Sequence, residues 1–269
     1  MGSHLLGWLA VALYTGAEAL AIVSLVRPRA LFARAVPLAI AAGLALHFAD
    51  LMHRARELSS VPYRTLGGSV SFFGWMLGIA YLVLLLRHRE QAVGPFLIPF
   101  IVLATGIGLA LPDSASLPRE GLHGSVFALH VTLAILAYAA FTFSFVLSML
   151  YLVQNRQIRH ARTGLLFARL PALDVIGRLN RTSVTIGVAT LVLSLGLGLF
   201  WAERVWPSLS DPKIAWAAIT LLVYGFLLWM DRRGWAGPRV AVLSILGFGV
   251  VLFSYTVVNL YFSRAHSFR

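Results

Sequence analysis

Residues 125–153 read SVFALHVTLAILAYAAFTFSFVLSMLYLV, a run of 29 residues without a lysine, arginine, aspartate or glutamate. A membrane-spanning helix needs about 20 mainly apolar residues, so this run is long enough to cross a bilayer. Similar runs bounded by Arg, Pro and Gly occur at 5–26, 35–52, 66–86, 94–111, 183–203, 214–230 and 240–262. The sequence therefore predicts an all-α, polytopic membrane helix bundle with about eight transmembrane helices.

The composition agrees with the bilayer as the solvent of this chain. Of the 269 residues, 59% are hydrophobic and 12% are charged, whereas the apolar share of soluble domains is about 45–50%. Eight spans with short loops use nearly the whole chain, so we expect residues 1–269 to form a single integral membrane domain. The fifth run continues without a helix breaker through 154–159, which predicts a helix that projects beyond the membrane.

Charge and cysteine content exclude several classes of function. The net charge of +12 does not indicate nucleic-acid binding, because the basic residues are spread over short loops instead of one face. Contact with anionic membrane lipid accounts for them. The chain has no cysteine, which excludes disulfides, thiolate metal sites and thiol exchange by this chain. The first apolar run lacks a basic n-region and a cleavage site, so we expect a retained helix.

The distribution of basic residues predicts the orientation. The loops after odd-numbered spans hold 14 of the 22 lysines and arginines, and the termini and remaining loops hold 8. The positive-inside rule therefore places both termini outside, in a multi-pass protein of the cell inner (plasma) membrane. Residues 154–181 become a cytoplasmic connection and residues 203–213 an external loop. Three arginines between 54 and 64 run against this trend.

Three histidines are the main candidates for cofactor binding. His47 lies inside the second span, His130 about two helical turns into the fifth, and His266 follows the last span, all toward the predicted external side. Ionisable residues within a span are costly and indicate a functional site. Neutral imidazole is a common axial ligand of haem iron, so these histidines fit a haem site. A hydrogen bond to a neighbouring helix is the alternative for His47 and His130. A zinc site with Glu203 and Asp211 is the weaker alternative.

The C-terminal part of the chain carries a more specific pattern. Residues 211–220 read DPKIAWAAIT. They are followed by Tyr224, Gly234-Trp235, Gly247-Phe248, Tyr255, Val258-Asn259 and His266-Ser267. This series resembles the segment DPKETWALITW...IYA...GW, and the later GF, Y, VN and HSY elements, of the CcsA-type cytochrome c synthases.

The resemblance continues upstream and covers roughly residues 44–267. Leu129-His130-Val131 with Tyr138-Ala139 is similar to the MHV...YA helix of that family. The spacings of its H...R...P...ES..F..W pattern are matched by His47, Arg54, Pro62, Ser69, Phe72 and Trp75. The chain is thus similar to a family of haem-handling membrane proteins of cytochrome c assembly.

Membership of that family would assign a role to each candidate residue. His47 matches a membrane histidine at a site through which haem travels. His130 and His266 match two external histidines that flank haem while it is presented to apocytochrome c. The remnant of the Trp-rich external segment between them supplies Trp201, Trp206 and Asp211. The family holds haem iron while the vinyl groups meet the CxxCH thiols of the client, so an active member is a cytochrome c synthase, or haem lyase.

The sequence departs from the family pattern at three places. The WGxYWxWD run is reduced to WPSLSD at residues 206–211, the second membrane histidine is replaced by Trp229, and the glutamate of a YES stretch is replaced by Gly68. The remaining tryptophans are also typical of an aromatic belt at the membrane surface.

These departures keep two alternative functions open. The first is a non-catalytic membrane subunit or scaffold that has lost haem. The second is an electron-transfer membrane subunit with a haem held by His47 and His130. The expected partners are membrane lipid and either apocytochrome c or an assembly subunit in a hetero-oligomer.

Overall fold

The structure, a computed structural model, describes residues 4–59, 61–111, 125–161, 164–205 and 212–256, and their side chains except at 201–205 and 212–213. Within these ranges the chain forms α-helices and two short 3₁₀ turns but no strand, which confirms the predicted all-α class. The helices are α1 (Leu5–Val26), α2 (Ala30–Glu57), α3 (Leu66–His88), α4 (Gly94–Ala110), α5 (Ser125–Arg159), α6 (Leu165–Arg169), α7 (Leu173–Val205), α8 (Pro212–Arg232) and α9 (Gly237–Phe253).

Eight helical segments of the described ranges are long and apolar enough to cross a membrane: all the helices except the short α6, with α4 taken from Gln91 and α9 taken to Thr256. The predicted number of spans is therefore confirmed, as is the extension of α5 to Arg159. Some helix ends differ from the prediction, because α2 covers 30–57 instead of 35–52 and α7 begins at Leu173 instead of 183. An apolar run marks the part of a helix that lies in hydrocarbon, whereas polar turns extend the helix beyond it.

The chain folds into two compact units, each containing four of the long helices. Unit 1 comprises Met1–Ala115 and Ala161–Pro171, and unit 2 comprises Ser116–His160 and Ala172–Arg269. In unit 1, α1 and α3 each pack against both α2 and α4, which closes a ring of four helices. In unit 2, α5 and α8 each pack against both α7 and α9, which closes a second ring.

Small residues bring two helices of unit 1 into backbone contact. A Cβ atom added to Gly108 of α4 would lie 2.5 Å from the backbone nitrogen of Ser71 in α3. A Cβ atom added to Gly67 of α3 would lie 2.8 Å from the carbonyl oxygen of Gly108. Helices that cross a membrane often associate through such close approaches, because lipid tails provide no hydrophobic driving force between helices.

Unit 2 combines an aromatic stack with a buried polar network. The rings of Phe141 in α5 and Tyr224 in α8 stack with their centroids 3.8 Å apart and their planes 10° apart. The Ser144 hydroxyl donates to Asn180 Oδ1 at 2.6 Å, and Asn180 Nδ2 donates to Ser244 Oγ at 3.4 Å. This network joins α5, α7 and α9 by hydrogen bonds inside the unit.

Candidate functional site

The structure describes some of the predicted site residues and not others. His47 lies on α2 in unit 1, and His130 lies on α5 in unit 2. The backbone of Trp201 belongs to α7. Three further predicted site residues lie outside the described residues: Trp206, Asp211 and His266.

His47 is fully buried, and both nitrogens of its ring have a hydrogen-bond partner. Nδ1 lies 3.4 Å from the hydroxyl of Tyr14 on α1, and Nε2 lies 2.8 Å from the hydroxyl of Ser71 on α3. The Tyr14 ring meets the imidazole edge to face, with centroids 6.1 Å apart. A Cβ atom at Gly43 would lie 2.5 Å from the Tyr14 ring, so this glycine makes room for the tyrosine. A metal ion at His47 therefore requires displacement of a hydroxyl group.

Asp50 and Arg54 form a buried polar pair that the sequence reasoning missed. They lie one and two turns beyond His47 on the same face of α2, and each residue is 1% exposed. Asp50 Oδ1 accepts a hydrogen bond from the backbone N–H of Gly7 at 3.2 Å. This N–H lies in the first turn of α1 and has no acceptor within its own helix. The sequence signal was an aspartate followed four residues later by an arginine within a helix.

The burial of Arg54 corrects its assignment to a loop. The prediction ended the second span at residue 52 and counted Arg54 among the external arginines. In the structure α2 continues to Glu57, and Arg54 Nε lies 3.3 Å from Asp50 Oδ2 inside unit 1. Its charge is therefore paired within the unit and does not belong to a solvated loop.

Glu18 is a second acidic residue inside a span that the sequence reasoning did not single out. It lies one turn after Tyr14 on α1, and its Oε2 atom is buried with no hydrogen-bond partner among the described residues. Within the same part of the chain, the hydroxyl of Tyr81 on α3 is likewise buried without a partner. Glu18 thus differs from Asp50, whose carboxylate has both a cation and an amide beside it.

His130 is partly buried and contacts α7 through one ring nitrogen. Nδ1 lies 2.7 Å from the backbone carbonyl oxygen of Ser194 and 3.1 Å from the Ser194 hydroxyl. The same hydroxyl donates to the carbonyl oxygen of His130 at 2.9 Å. A neutral imidazole that donates through Nδ1 has its lone pair on Nε2, which is the arrangement found in metal-binding histidines. The chemistry of His130 therefore fits an axial ligand of iron.

The position matched to the second membrane histidine of the family faces outward from unit 2. Trp229 is 51% exposed on α8. The guanidinium of Arg233 lies 5.2 Å from the centroid of its ring, and Phe226 lies beside it. Such a tryptophan and arginine pair is typical of a membrane surface. It provides no second imidazole on this helix.

Among the described residues, the candidate metal ligands are single histidines and not clusters of ligands. Among the side chains that the structure describes, no three His, Cys, Asp or Glu residues are grouped as ligands of one metal ion. Of the zinc candidates, Asp211 lies outside the described residues and the side chain of Glu203 is not described. A haem group differs from zinc in this respect, because the porphyrin supplies four ligands and the protein one or two.

Comparisons with known proteins identify the class of membrane protein to which this helical architecture belongs. Residues 63–266 match the model of the family "Cytochrome C assembly protein". The chain belongs to this family. It is 30% identical to "Cytochrome c biogenesis protein CcsA" of Prochlorococcus marinus (strain MIT 9312) over 248 residues, covering 81% of this chain and 79% of that protein.

Two further relatives cover a similar share of the chain. "Cytochrome c biogenesis protein CcsA" of Synechococcus sp. (strain CC9605) is 27% identical over 266 residues, covering 87% of this chain and 86% of that protein. "Protein HemX" of Brevibacillus brevis is 30% identical over 197 residues, covering 70% of each. The resemblance noted in the sequence is thus confirmed at the level of the family, and the chain is a multi-pass membrane protein of cytochrome c assembly.

Proposed function

We propose that this protein binds haem through His130 and delivers or presents it at the external face of the membrane during cytochrome c assembly. The observation that carries the proposal is the hydrogen bond from His130 Nδ1 to the Ser194 carbonyl at 2.7 Å. In a neutral imidazole this bond places the lone pair on Nε2, where iron would bind. Haem, when bound, supplies the vinyl groups that join to the client, and the chain holds the iron and positions it.

His266 is proposed as the second external ligand, with Trp201, Trp206 and Asp211 beside the porphyrin. This assignment follows from the sequence pattern that these residues share with the family. The client would be apocytochrome c, received directly or through a partner assembly subunit. Synthase activity of this chain is a further proposal, because the Trp-rich segment is short.

We propose that the protein lies in the inner (plasma) membrane of the cell. In the proposed orientation both termini are outside and residues 154–181 are in the cytoplasm. The excess of basic residues in the loops after odd-numbered spans supports it. Arg54 is one of three arginines whose predicted external position runs against the positive-inside rule. Because it is paired with Asp50 within unit 1, it counts less against the proposed orientation. In this orientation the Ser125 end of α5, which carries His130, is external.

The proposal is tested by the optical spectrum of the full-length protein after haem-replete expression. We expect a haem band in the wild type that is lost in His130→Ala and in His266→Ala. His160→Ala is the matched control, because His160 is exposed just beyond the other end of α5, and we expect it to keep the band. A wild type without haem, or a band unchanged in His130→Ala, would contradict the proposal.

A non-catalytic membrane subunit that has lost haem is the second candidate function. The observation that favours it is the environment of His47, whose two nitrogens contact Tyr14 and Ser71 instead of an open site. This candidate function predicts a haem-free protein that copurifies with an assembly subunit. The protein should tolerate substitution of each candidate histidine, His47, His130 and His266. An electron-transfer role would instead require a redox-active haem that is lost in His47→Ala.

A further inference from the structure

The contact between His130 and α7 depends on a glycine. A carbonyl within a helix accepts the N–H four residues further on, and the side chain of that later residue lies over the turn that carries the carbonyl. For the Ser194 carbonyl this residue is Gly198. A Cβ atom added at Gly198 would lie 2.6 Å from His130 Cε1 and 2.8 Å from Nδ1. The imidazole thus occupies the space that a side chain at 198 would fill.

Two contacts require the proton of the imidazole to be on Nδ1. The Ser194 carbonyl oxygen accepts hydrogen bonds and cannot donate one, so Nδ1 must be the donor at 2.7 Å. The Ser194 hydroxyl has a single hydrogen, which it donates to the His130 carbonyl oxygen. Its oxygen, 3.1 Å from Nδ1, therefore acts there as an acceptor. Both contacts select the same tautomer.

We propose that Ser194 and Gly198 are positioning residues that fix the tautomer and the direction of the His130 ring, so that Nε2 is presented as a metal ligand before haem arrives. The inference rests on the proposed function of His130 and adds the residues that prepare it. A hydrogen bond to the second nitrogen of a metal-binding histidine orients the ring and raises the basicity of the ligand. The backbone carbonyl has this role here, and Gly198 gives the ring access to it.

The tautomer is measured without haem. Full-length protein labelled with ¹⁵N-histidine is reconstituted in lipid, and its nitrogen resonances are recorded by solid-state NMR, with His130 assigned from the signal lost in His130→Ala. We expect Nδ1 to carry the proton in the wild type. Gly198→Ala should displace the ring and shift the proton to Nε2. Gly196→Ala is the matched control on α7, because a Cβ atom there meets no described atom within 4 Å, and it should leave the tautomer unchanged.

The presentation of Nε2 is measured by haem titration of the same variants. We expect Gly198→Ala to weaken His130-dependent haem binding by about tenfold to a hundredfold, as for other residues that orient metal ligands. Ser194→Ala should weaken it less, because the backbone carbonyl remains, and Gly196→Ala should bind as the wild type does. Ser194→Ala adds no atom to the helix contact, so its affinity remains informative if Gly198→Ala folds poorly.

The outcomes separate this inference from the proposed function. A wild-type His130 protonated on Nε2, or a Gly198→Ala variant with unchanged tautomer and affinity, would overturn the inference even if His130 binds haem. A wild type with Nδ1 protonated but no affinity for haem would overturn the proposed function. The same result would overturn the presentation of Nε2 to iron, whereas the fixed tautomer of His130 would stand.

Discussion

Asp50 Oδ2 lies 3.3 Å from Arg54 Nε, and both side chains are almost fully buried in unit 1. Asp50 also accepts the N–H of Gly7, so one carboxylate joins α2 to the first turn of α1. A carboxylate at a helix N-terminus is further stabilised by the helix dipole. The pair therefore contributes to the packing of α1 on α2, one turn away from His47.

Asp50→Asn should destabilise the protein strongly. Removing one partner of a buried ion pair is strongly destabilising, at a cost of about 3–5 kcal/mol. The measurement is the midpoint of thermal denaturation in detergent. Asp174→Asn breaks an exposed pair with Arg178 and should cost less than about 1 kcal/mol.

Glu18→Gln is the matched substitution for Asp50→Asn within the same unit. Both replace a carboxyl by an amide inside a span, but Glu18 Oε2 has no hydrogen-bond partner to lose in the part of the chain that the structure describes. We expect Glu18→Gln to keep or raise the denaturation midpoint, because an uncharged amide is easier to bury than a carboxylate. Equal losses in the two variants would contradict the special role of the Asp50 and Arg54 pair.

Ser71→Ala and Tyr14→Phe test the two hydrogen bonds of His47. Ser71 lies 2.8 Å from Nε2, whereas Tyr14 lies 3.4 Å from Nδ1, so the first bond is the stronger. Ser71→Ala should therefore cost about 1–3 kcal/mol in unfolding free energy, the cost of a buried polar atom without a partner. Tyr14→Phe should cost less. A larger loss in Tyr14→Phe would show that the order of the two bonds is wrong.

Gly187→Ala should destabilise unit 2. A Cβ atom at this position would collide with the ring of Phe141, which is stacked on Tyr224. Overpacking of this kind costs about 1–3 kcal/mol. Gly177→Ala on the same helix is the control, because a Cβ atom there lies more than 4 Å from the described atoms of the chain. It should be neutral or stabilising, since alanine favours a helix over glycine by about 1 kcal/mol. Equal midpoints for the two variants would contradict the tight packing at Gly187.

Glu90→Gln tests a pH dependence outside the spans. Burial raises the pKa of the Glu90 carboxyl, and the charge of His88 offsets part of this rise. The folded state therefore binds this proton more tightly than the unfolded state does, so the stabilising contribution is full below the unfolded pKa and is lost as pH rises through the folded pKa. Relative to the wild type, Glu90→Gln should gain stability as pH rises above about 4, the ordinary pKa of a glutamate in an unfolded chain. A stability difference that is constant over this range would contradict the prediction.

The number of spans and their approximate positions were predictable because each lies in an apolar run that needs no tertiary information. The ends of α2 and α7 were not, since Arg54 and Arg178 lie in helical turns that hydropathy assigns to loops. That His47 lies on the second long helix and His130 in the first part of α5 followed directly from the sequence.

The partners of the two histidines were not predictable. Which residues of α1 and α3 face His47 depends on how the helices rotate and pair, and the same holds for Ser194 and Gly198 opposite His130. Ser71 and Gly198 are also ordinary residues for a membrane helix, so nothing in their own type marked them. His266, Trp206 and Asp211 remain predictions from the family pattern.

The segment Ala161–Pro171 belongs to unit 1, although the helices on either side of it, α5 and α7, belong to unit 2. The polypeptide therefore passes from one unit to the other three times. A gene split after α4 would yield a first fragment that lacks α6, which belongs to the same unit. During translation, unit 1 has all of its residues only after the ribosome has passed Pro171.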